Sequence, residues 1–507
     1  MDPTPGPTRQ PHPWRNRLIS VLSELGLISL YYCKRDVKIL CLQRFVRLFA
    51  YGSSTLILVS YLEALGISKT RIGLFMTLTI AGDICISFFL TLFADAIGRK
   101  AMLALGAVLV VGSGVVFALF ENYYVLLAAA VFGVISPSGN EIGPFRAIEE
   151  SVVAHLTASS HRSDIYAWYN LIATAGVAFG MMTCGWTVHY FTTELSWPIV
   201  DAYRLVFMGY AAMGALKLAI ILFLSREIEV EEEPKQAAQL AEEPSETAPL
   251  LGDDVSPPVT KPYPESQRRR GGLTSLLPAI SPESRGILLS LCLLFALDSF
   301  ASGLAPLSWV TYFFRSRYGL SEGALGSVFS ATALVAAASM LVASSLAKRF
   351  GNVNVMVFTH LPSALFLALI PVPDDVRLSL LFLVLRSCTQ SMDGPPRSAF
   401  LAAIVLPGER TAVMGLVNVV KSTAQALSPT LTGLLADRKL FWVAFVCAGT
   451  LKACYDLGML ALFQNHERER AERERLAAER GANDDEEAST YDHRYRKTRD
   501  PVRSPRR

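Results

Sequence analysis

The chain has 507 residues, of which 51% are hydrophobic and 18% are charged, with a formal net charge of +3. This composition is too apolar for a soluble protein, whose surface must be hydrated, and it predicts a polytopic membrane protein in a lipid bilayer. Strongly charged segments lie at 1–38, 225–285 and 464–507, beside an apolar body, and the charges of the whole chain sum to this small net value. It gives no concentrated basic face, so we expect no nucleic-acid partner.

Twelve segments are apolar over the length of about 20 residues that a helix needs to cross a bilayer. We predict an all-α membrane protein whose spans lie at 39–61, 72–94, 101–119, 124–149, 165–190, 204–224, 286–314, 324–346, 353–371, 376–398, 412–435 and 440–463. The residues before the first span contain no short apolar core with a small-residue cleavage site. We therefore expect no signal peptide.

Basic residues indicate the orientation of these spans, because cytoplasmic loops are enriched in Lys and Arg. Lys34, Arg35 and Lys38 precede the first span, and Arg99 and Lys100 follow the second. An even number of spans puts both termini on one side, which we predict to be the cytoplasm. Basic residues at 315, 317, 438 and 439 oppose this assignment.

Changes in composition divide the chain into five regions. They are a cytoplasmic N-terminal segment at 1–38, a six-helix bundle at 39–224, a linker at 225–285, a second six-helix bundle at 286–463 and a charged cytoplasmic tail at 464–507. In the N-terminal segment, residues 14–32 have helical apolar spacing beside a few charges, which indicates either an interfacial helix or a frayed tail. The linker contains prolines and runs of like charge, which predict a disordered cytoplasmic segment.

A short motif in the linker bears on localisation. Glu246–Leu251 has the acidic dileucine pattern, in which two leucines follow an acidic residue after three intervening positions. Either sorting adaptors bind this motif and direct the protein to an endosomal or vacuolar membrane, or the match is a chance one. The sequence leaves the plasma membrane and the vacuolar or endosomal membrane as alternatives.

The two bundles share an internal repeat. A shift of 253 residues superposes Gly66 on Gly319 and Gly98 on Gly351. A shift of 251 superposes Gly143-Pro144-Phe145-Arg146 on Gly394-Pro395-Pro396-Arg397. Two halves with equal span counts and the same orientation are related by an axis along the membrane normal, as in parallel transporter repeats.

The loop at 92–100, between the second and third spans, reads LFADAIGRK. It resembles the signature loop of the major facilitator superfamily at four residues, Asp95, Gly98, Arg99 and Lys100, and departs from it at Thr91 and Ala96. The resemblance implies twelve helices in two six-helix pseudo-symmetric halves, with a central cavity lined by the first, fourth, seventh and tenth helices. It implies a secondary transporter and leaves the substrate open.

Intramembrane charges concentrate on those four helices. They are Arg44, Arg47, Glu141, Arg146, Glu149, Glu150, Asp298, Arg386, Asp393 and Arg397. A charged side chain at the bilayer centre costs roughly 2.5–3.5 kcal/mol on insertion scales, so such residues face water or an opposite charge. Their clustering favours a polar, ion-coupled cavity.

Depth along the spans selects a central pair, Asp298 and Arg386. At 1.5 Å per residue, both lie near the middle of the membrane. Either the carboxylate takes up and releases a proton as the cavity alternates, or the two residues form a neutralised structural ion pair. Arg386, Gln390, Asp393 and Arg397 follow one helix face at i, i+4, i+7 and i+11, which predicts a stripe that faces the cavity.

The segment at 136–150 divides into two predicted roles. Asn140 and Glu141 lie deeper and are candidates for the cavity. Arg146 is spaced to pair with Glu149 and Glu150, and the resemblance implies that these charges and Arg397 latch to the 95–100 loop in one transport state. Direct substrate contact is the alternative for this group. The side chain of Arg47 either lines the cavity or extends toward the cytoplasm.

The sequence contains no nucleophile–base pair, no metal-ligand spacing of Cys and His, and no phosphate-binding loop. We therefore expect neither an enzyme nor a primary pump, and no cofactor or metal. The favoured hypothesis is a monomeric secondary active transporter that works by alternating access, coupled to protons or another ion, with an organic anion or an amphiphilic metabolite or drug as substrate. The alternative is a transporter-like receptor or scaffold that signals through the linker and tail without transport.

Overall fold

The computed structural model describes residues 26–133, 135, 137, 144–158, 161–229, 282–405 and 409–465. These residues form helices joined by short turns. The first 25 residues, most of the linker with its dileucine motif, and the tail after 465 lie outside the described residues. Asn140 and Glu141 lie outside them as well, so their predicted place in the cavity stays a prediction.

The first six spans begin after a short helix and end at a single 3-10 turn. The helices are α1 (Leu27–Tyr32), α2 (Arg35–Ala64), α3 (Lys69–Ile97), α4 (Arg99–Leu119), α5 (Tyr123–Gly133), α6 (Pro144–Leu156), α7 (Arg162–Thr193) and α8 (Ile199–Leu222). The 3-10 turn covers Arg226–Ile228, and the described chain continues through 229, so it includes the first five residues of the region that the sequence assigned to a disordered linker.

The last six spans repeat this arrangement. Their helices are α9 (Pro282–Leu304), α10 (Leu307–Tyr318), α11 (Glu322–Phe350), α12 (Asn352–Leu369), α13 (Val376–Thr389), α14 (Gly394–Ile404), α15 (Arg410–Asp437) and α16 (Phe441–Asn465). Among the described residues, nine helical segments are long and apolar enough to cross a membrane individually. The remaining three of the twelve spans are the fourth, the tenth and the amphipathic α15.

The seventh and tenth spans are broken helices, although the sequence analysis treated them as continuous. Pro306 separates α9 from α10, and α14 begins at Gly394 with prolines in its first turn. Proline has no backbone N–H and is best tolerated in the first turn of a helix. Pro144 begins α6 at the equivalent position of the first half. The repeated Gly-Pro pair therefore marks where each second segment starts.

Glycines bring the halves together at two places. Gly73 of α3 packs against the backbone of Pro429 and Gly433 on α15, and Gly185 of α7 packs against Glu322 and Gly326 on α11. Small residues allow this approach, because association of helices in lipid depends on van der Waals contact more than on the hydrophobic effect.

Polar contacts also join the halves at the end opposite the described termini. The Asp437 carboxylate accepts hydrogen bonds from the backbone N–H groups of Lys69 at 3.1 Å and Thr70 at 2.7 Å. The Tyr312 hydroxyl donates to Glu63 at 2.5 Å. These contacts hold the two halves together at this end of the molecule.

Candidate functional site

A buried charge cluster lies in the last six spans around Asp298 of α9. Its carboxylate is 2.6 Å from Lys452 Nζ on α16 and 3.5 Å from a guanidinium nitrogen of Arg397 on α14. Lys452 also donates to Ser302 Oγ at 2.8 Å. Asp298 is only 4% exposed. A buried carboxylate is tolerated when opposite charges and hydrogen bonds replace its water, and here two cations do so.

Arg397 links this carboxylate to a second one. Its guanidinium forms an ion pair with Asp393, one turn earlier along the chain. The guanidinium also lies 5.6 Å from the ring centroid of Phe295 and 5.7 Å from that of Tyr455. Aromatic faces attract a weakly hydrated guanidinium, which suits it to a site away from water. The sequence placed Arg397 at a gate, whereas its described contacts are inside this cluster.

A histidine extends the cluster to a third carboxylate. His360 Nδ1 lies 2.9 and 3.0 Å from the two carboxylate oxygens of Asp456, and His360 Nε2 lies 4.0 Å from Asp298. His360 is on α12 and Asp456 is on α16, and both are almost fully buried. His360 was missed by the sequence analysis, because one histidine in an apolar span has no spacing pattern. Lys452 and Asp456 had a usable signal, since i and i+4 place them on one face.

A cavity of about 320 Å³ adjoins this cluster. Its polar lining includes three basic side chains and several amides and hydroxyls, among them His360, Arg386, Ser387, Gln390, Gln425 and Lys452. None of the described residues that line it is acidic. The predicted cavity residues Arg386 and Gln390 are therefore at the cavity wall, while Asp298 and Asp393 lie behind it.

Asp298 and Arg386 do not form the ion pair that the sequence offered as one alternative. Asp298 pairs with Lys452 and Arg397 instead. The guanidinium of Arg386 forms no ion pair or hydrogen bond with any residue that the structure describes. Depth along a span gives the height of a residue in the membrane but not the direction it faces, and the two residues face different neighbours.

The helices that line the cavity also differ from the four that the resemblance implied. Of the four helices that the resemblance implied, the seventh and tenth contribute to it through 301–310 and 383–391, together with residues of the eighth, ninth, eleventh and twelfth. Described residues of the first and fourth spans do not line it; they form a separate cluster.

That second cluster surrounds Glu149 of α6, which is fully buried. Arg47 donates to its carboxylate at 2.5 Å, the Tyr169 hydroxyl donates at 2.6 Å, and Gln43 donates at 3.3 Å. Arg44 is 3.9 Å away and stacks 4.1 Å from the Tyr169 ring centroid. Arg44 and Arg47 therefore point inward and do not extend toward the cytoplasm.

Arg146 and Glu150 form the pair that their i and i+4 spacing predicted, at 2.7 Å. The alternative partner, Glu149, is turned inward to Arg47. Arg146 and Glu150 are each partly exposed, with 43% and 30% of the side chain accessible. Their role in a gate is a prediction that these contacts leave open.

The signature loop is held by the start of the linker. Gly98 has a φ of 90°, which favours glycine, and α4 follows it directly. The Glu229 carboxylate accepts from the backbone N–H groups of Arg99 at 2.7 Å and Lys100 at 3.1 Å. A carboxylate at a helix N-terminus satisfies free donors and opposes the helix dipole. Asp95 lies in the last turn of α3, and its side chain is not among those that the structure describes.

Comparison with known proteins places the chain among transporters. The model of the Major Facilitator Superfamily matches residues 40–277 and 287–501. The uncharacterized membrane protein YJR124C of Saccharomyces cerevisiae is 36% identical over 437 residues, which cover 85% of this chain and 94% of that protein.

Solved structures show the same fold at low sequence identity. A bacterial homologue of the human lysosomal transporter Spinster, inward-facing and unoccupied, is 16% identical with a TM-score of 0.56, covering 84% of this chain and 94% of its own. The nucleoside transporter NupG is 13% identical with a TM-score of 0.60, covering 85% and 99%. The xylose transporter XylE from E. coli, inward open, is 14% identical with a TM-score of 0.59, covering 83% and 95%.

Proposed function

Because the chain belongs to the Major Facilitator Superfamily, we propose that this multi-pass membrane protein is a secondary active transporter of a small hydrophilic organic anion. The solute crosses by alternating access, in which the two six-helix halves rock against each other and expose the cavity beside the second half to alternate sides, and a proton moves with it. The observation that carries the proposal is Arg386, a guanidinium at the wall of a polar cavity without a carboxylate partner among the described residues.

The chemistry of the cavity favours an anion. A guanidinium presents parallel N–H groups that match both oxygens of a carboxylate, and such bidentate pairs are strong and oriented. Lys452 at the same wall is already engaged by Asp298 and Ser302, so its charge is largely neutralised. Arg386 is then the cation available to a substrate, and the absence of acidic groups from the described lining disfavours a cationic one.

The lining also favours a hydrophilic solute over the amphiphilic drug that the sequence left open. Ser387, Gln390 and Gln425 offer hydroxyl and amide groups to bind hydroxyl or carbonyl oxygens. The cavity volume of about 320 Å³ is at the lower end of the roughly 300–1,000 Å³ found for small-molecule sites. A small carboxylate fits this size and polarity.

Proton coupling supplies both energy and charge balance. Moving one charge against a membrane potential costs about 2.3 kcal/mol per 100 mV, and a proton that accompanies a monovalent anion cancels this cost. The sequence contains no nucleotide-binding loop, so a gradient is the available energy source. The buried titratable groups beside the cavity offer places for a proton.

The experiment is transport by the purified full-length chain in liposomes with an imposed pH gradient. Labelled lactate, succinate and citrate are compared with xylose and with the cation tetraethylammonium. We expect saturable uptake of at least one carboxylate, reduced at least tenfold by Arg386→Gln. Arg377→Gln is the matched control, because Arg377 is exposed on the same helix.

Two results would count against the proposal. Uptake of xylose or the cation without any carboxylate uptake would overturn the anion assignment. An absence of flux for all solutes under both gradient directions would support the receptor or scaffold alternative, in which the linker and tail signal without transport.

The membrane, topology and assembly are also proposals. We propose that the protein is a monomer with both termini in the cytoplasm, and that Glu246–Leu251 directs it to a vacuolar or endosomal membrane through sorting adaptors. The support is the distribution of basic residues and the acidic dileucine pattern. Replacing Leu250 and Leu251 by Ala in a fluorescently tagged chain should move it to the plasma membrane, and an unchanged distribution would contradict the motif's role.

A further inference from the structure

A histidine lies between two aspartates at the edge of the cavity. His360 Nδ1 contacts both carboxylate oxygens of Asp456 at 2.9 and 3.0 Å, and His360 Nε2 is 4.0 Å from Asp298 Oδ1. When Asp456 is ionised, its carboxylate accepts and the Nδ1–H of the ring must donate. The lone pair of Nε2 is then the place where a further proton binds.

The two aspartates differ in how they are neutralised. Asp298 has Lys452 at 2.6 Å and Arg397 at 3.5 Å, so its charge is balanced without His360. Asp456 is 1% exposed, and its hydrogen bonds in the described structure are those with His360. Because a buried charge needs a close partner, the charge state of His360 determines how well Asp456 is compensated.

The charged groups around His360 sum to one net positive charge when the ring is neutral. The groups that face the histidine and its partners from each packed element are Asp298 on α9, Arg386 on α13, Asp393 and Arg397 on α14, Lys421 on α15, and Lys452, Tyr455 and Asp456 on α16. Three carboxylates stand against four cations, with Tyr455 uncharged, and the excess cation is Arg386. Protonation of His360 therefore gives this part of the bundle a second net positive charge.

That positive charge faces the substrate site. His360, Arg386 and Lys452 line the same cavity, so a proton on His360 adds a further cation to the wall that binds the anion. Coulomb attraction in a partly buried site exceeds that in water, because the effective dielectric constant is lower. The anion and the proton then each raise the affinity for the other, by the reciprocity of linked binding.

We propose that the His360–Asp456 pair is the proton-binding site of this transporter and that it makes the protein a proton–anion symporter. This rests on the proposed anion transport function. The loading step forms one N–H bond at His360 Nε2 and breaks one O–H bond of a hydronium ion, which leaves as water. Release on the other side reverses the step. Arg386 holds the anion throughout and exchanges no proton.

The test compares proton-driven accumulation with exchange in the same liposomes. Labelled lactate, succinate or citrate is used, according to which the wild type transports. In the wild type, we expect uptake to acidify the vesicle interior, as read by an enclosed pH dye. His360→Gln keeps a hydrogen-bonding amide but cannot take up a proton, and we expect it to lose at least tenfold of the accumulation and to bind the anion more weakly, since His360 lines the cavity. Asp456→Asn changes a residue outside the described lining, and we expect it to lose the accumulation while anion exchange at equal pH continues.

A second readout needs no substrate. With ¹⁵N-labelled histidine, the NMR signals that His360→Gln removes should show a protonated Nδ1 and a lone pair on Nε2, and Asp456→Asn should change the Nδ1 signal, because the carboxylate accepts the Nδ1–H hydrogen bond. His189→Gln is the matched control, since His189 lies in α7 beside Gly323, outside this cluster. It should leave accumulation and the His360 signal unchanged.

The outcomes separate this inference from the proposed function. Full proton-driven accumulation by both His360→Gln and Asp456→Asn would overturn the proton site while leaving anion transport standing. Carboxylate exchange that proceeds in the wild type without any proton movement would overturn symport. Failure of the wild type to move any carboxylate would overturn the proposed function itself.

Discussion

Lys452 donates a hydrogen bond of 2.6 Å to Asp298 across 154 residues of sequence, and both side chains are buried between helices α9 and α16. This pair defines the cluster beside the cavity. It also takes the place of the expected contact between Asp298 and Arg386, and so leaves Arg386 available to a ligand.

Breaking the pair on one side should destabilise the protein strongly. Asp298→Asn leaves the Lys452 ammonium buried with its main counterion removed, and loss of one partner of a buried ion pair typically costs about 3–5 kcal/mol. We expect the free energy of unfolding in detergent to fall by about that amount. Replacing both residues, by Asp298→Leu with Lys452→Met, should recover most of the loss, and a double variant as unstable as the sum of the single ones would contradict the pairing.

Glu149 and Glu150 are adjacent in sequence but should respond very differently to the same change. Glu149→Gln removes the counterion of Arg47 in a fully buried site and should lower the free energy of unfolding by about 3–5 kcal/mol. Glu150→Gln weakens a partly exposed pair with Arg146 and should cost less than about 1 kcal/mol. Denaturant unfolding of the two variants measures the difference, and equal effects would show that the assigned contacts are wrong.

A side chain at Gly185 should disturb the contact between the halves. A Cβ there would clash with the backbone of Glu322 and Gly326, which belong to the other half. Gly185→Val should therefore favour a conformation in which α7 and α11 are separated. We expect the rate of flux to fall at least tenfold, which corresponds to a change of about 1.4 kcal/mol in the activation free energy, while the protein still folds.

Distances between spin labels on α7 and α11 measure that separation directly. Gly209→Ala is the control, because a Cβ at Gly209 would meet no atom within 4 Å. Unchanged distances and flux in Gly185→Val would mean that the helices separate elsewhere during transport.

The contact between the halves at Asp437 should be insensitive to physiological pH. This carboxylate lies beyond the predicted span at 412–435. Burial by itself raises its pKa, but hydrogen bonds from the Thr70 hydroxyl and the backbone N–H groups of Thr70 and Lys69 outweigh burial and hold the pKa below its ordinary value. Because its pKa is lowered, the Asp437 carboxylate stabilises the contact at pH values above its ordinary pKa of about 3.9. This stabilisation is lost as the pH falls through the lowered pKa.

We therefore expect the spin-label distance across this end to stay constant from pH 8 to pH 5 and to change only below about pH 4. Asp437→Asn should loosen the contact at all these pH values. Asp201→Asn is the control, since Asp201 pairs with Arg204 inside one half. A distance change centred between pH 5 and pH 7 would assign the contact to another group.

Much of the fold could be predicted from the lengths of the apolar segments alone. Each of the twelve predicted spans coincides with one described helix or with two consecutive ones, and the pair Arg146–Glu150 follows from helical spacing. The break at Pro306 was missed, because an apolar stretch of 29 residues reads as one span whether or not it bends inside the membrane.

The candidate site was predicted only in part. Arg386 and Gln390 line the cavity as expected, but Arg47 lies in the separate cluster around Glu149, and His360 was not foreseen. Spacing along one helix is local information. The partner of a buried charge is set by how helices pack around it, and packing brings together His360 and Asp456, which are 96 residues apart in sequence.

The sequence by itself determined that this is a twelve-span membrane protein with repeated halves, because lipid demands long apolar helices and the repeat is visible in Gly98 and Gly351 and in the two Gly-Pro pairs. Only the tertiary structure decided which intramembrane charges neutralise one another. Packing directs Asp298 toward Lys452 and His360 toward Asp456, and leaves Arg386 facing the cavity without a partner among the described residues.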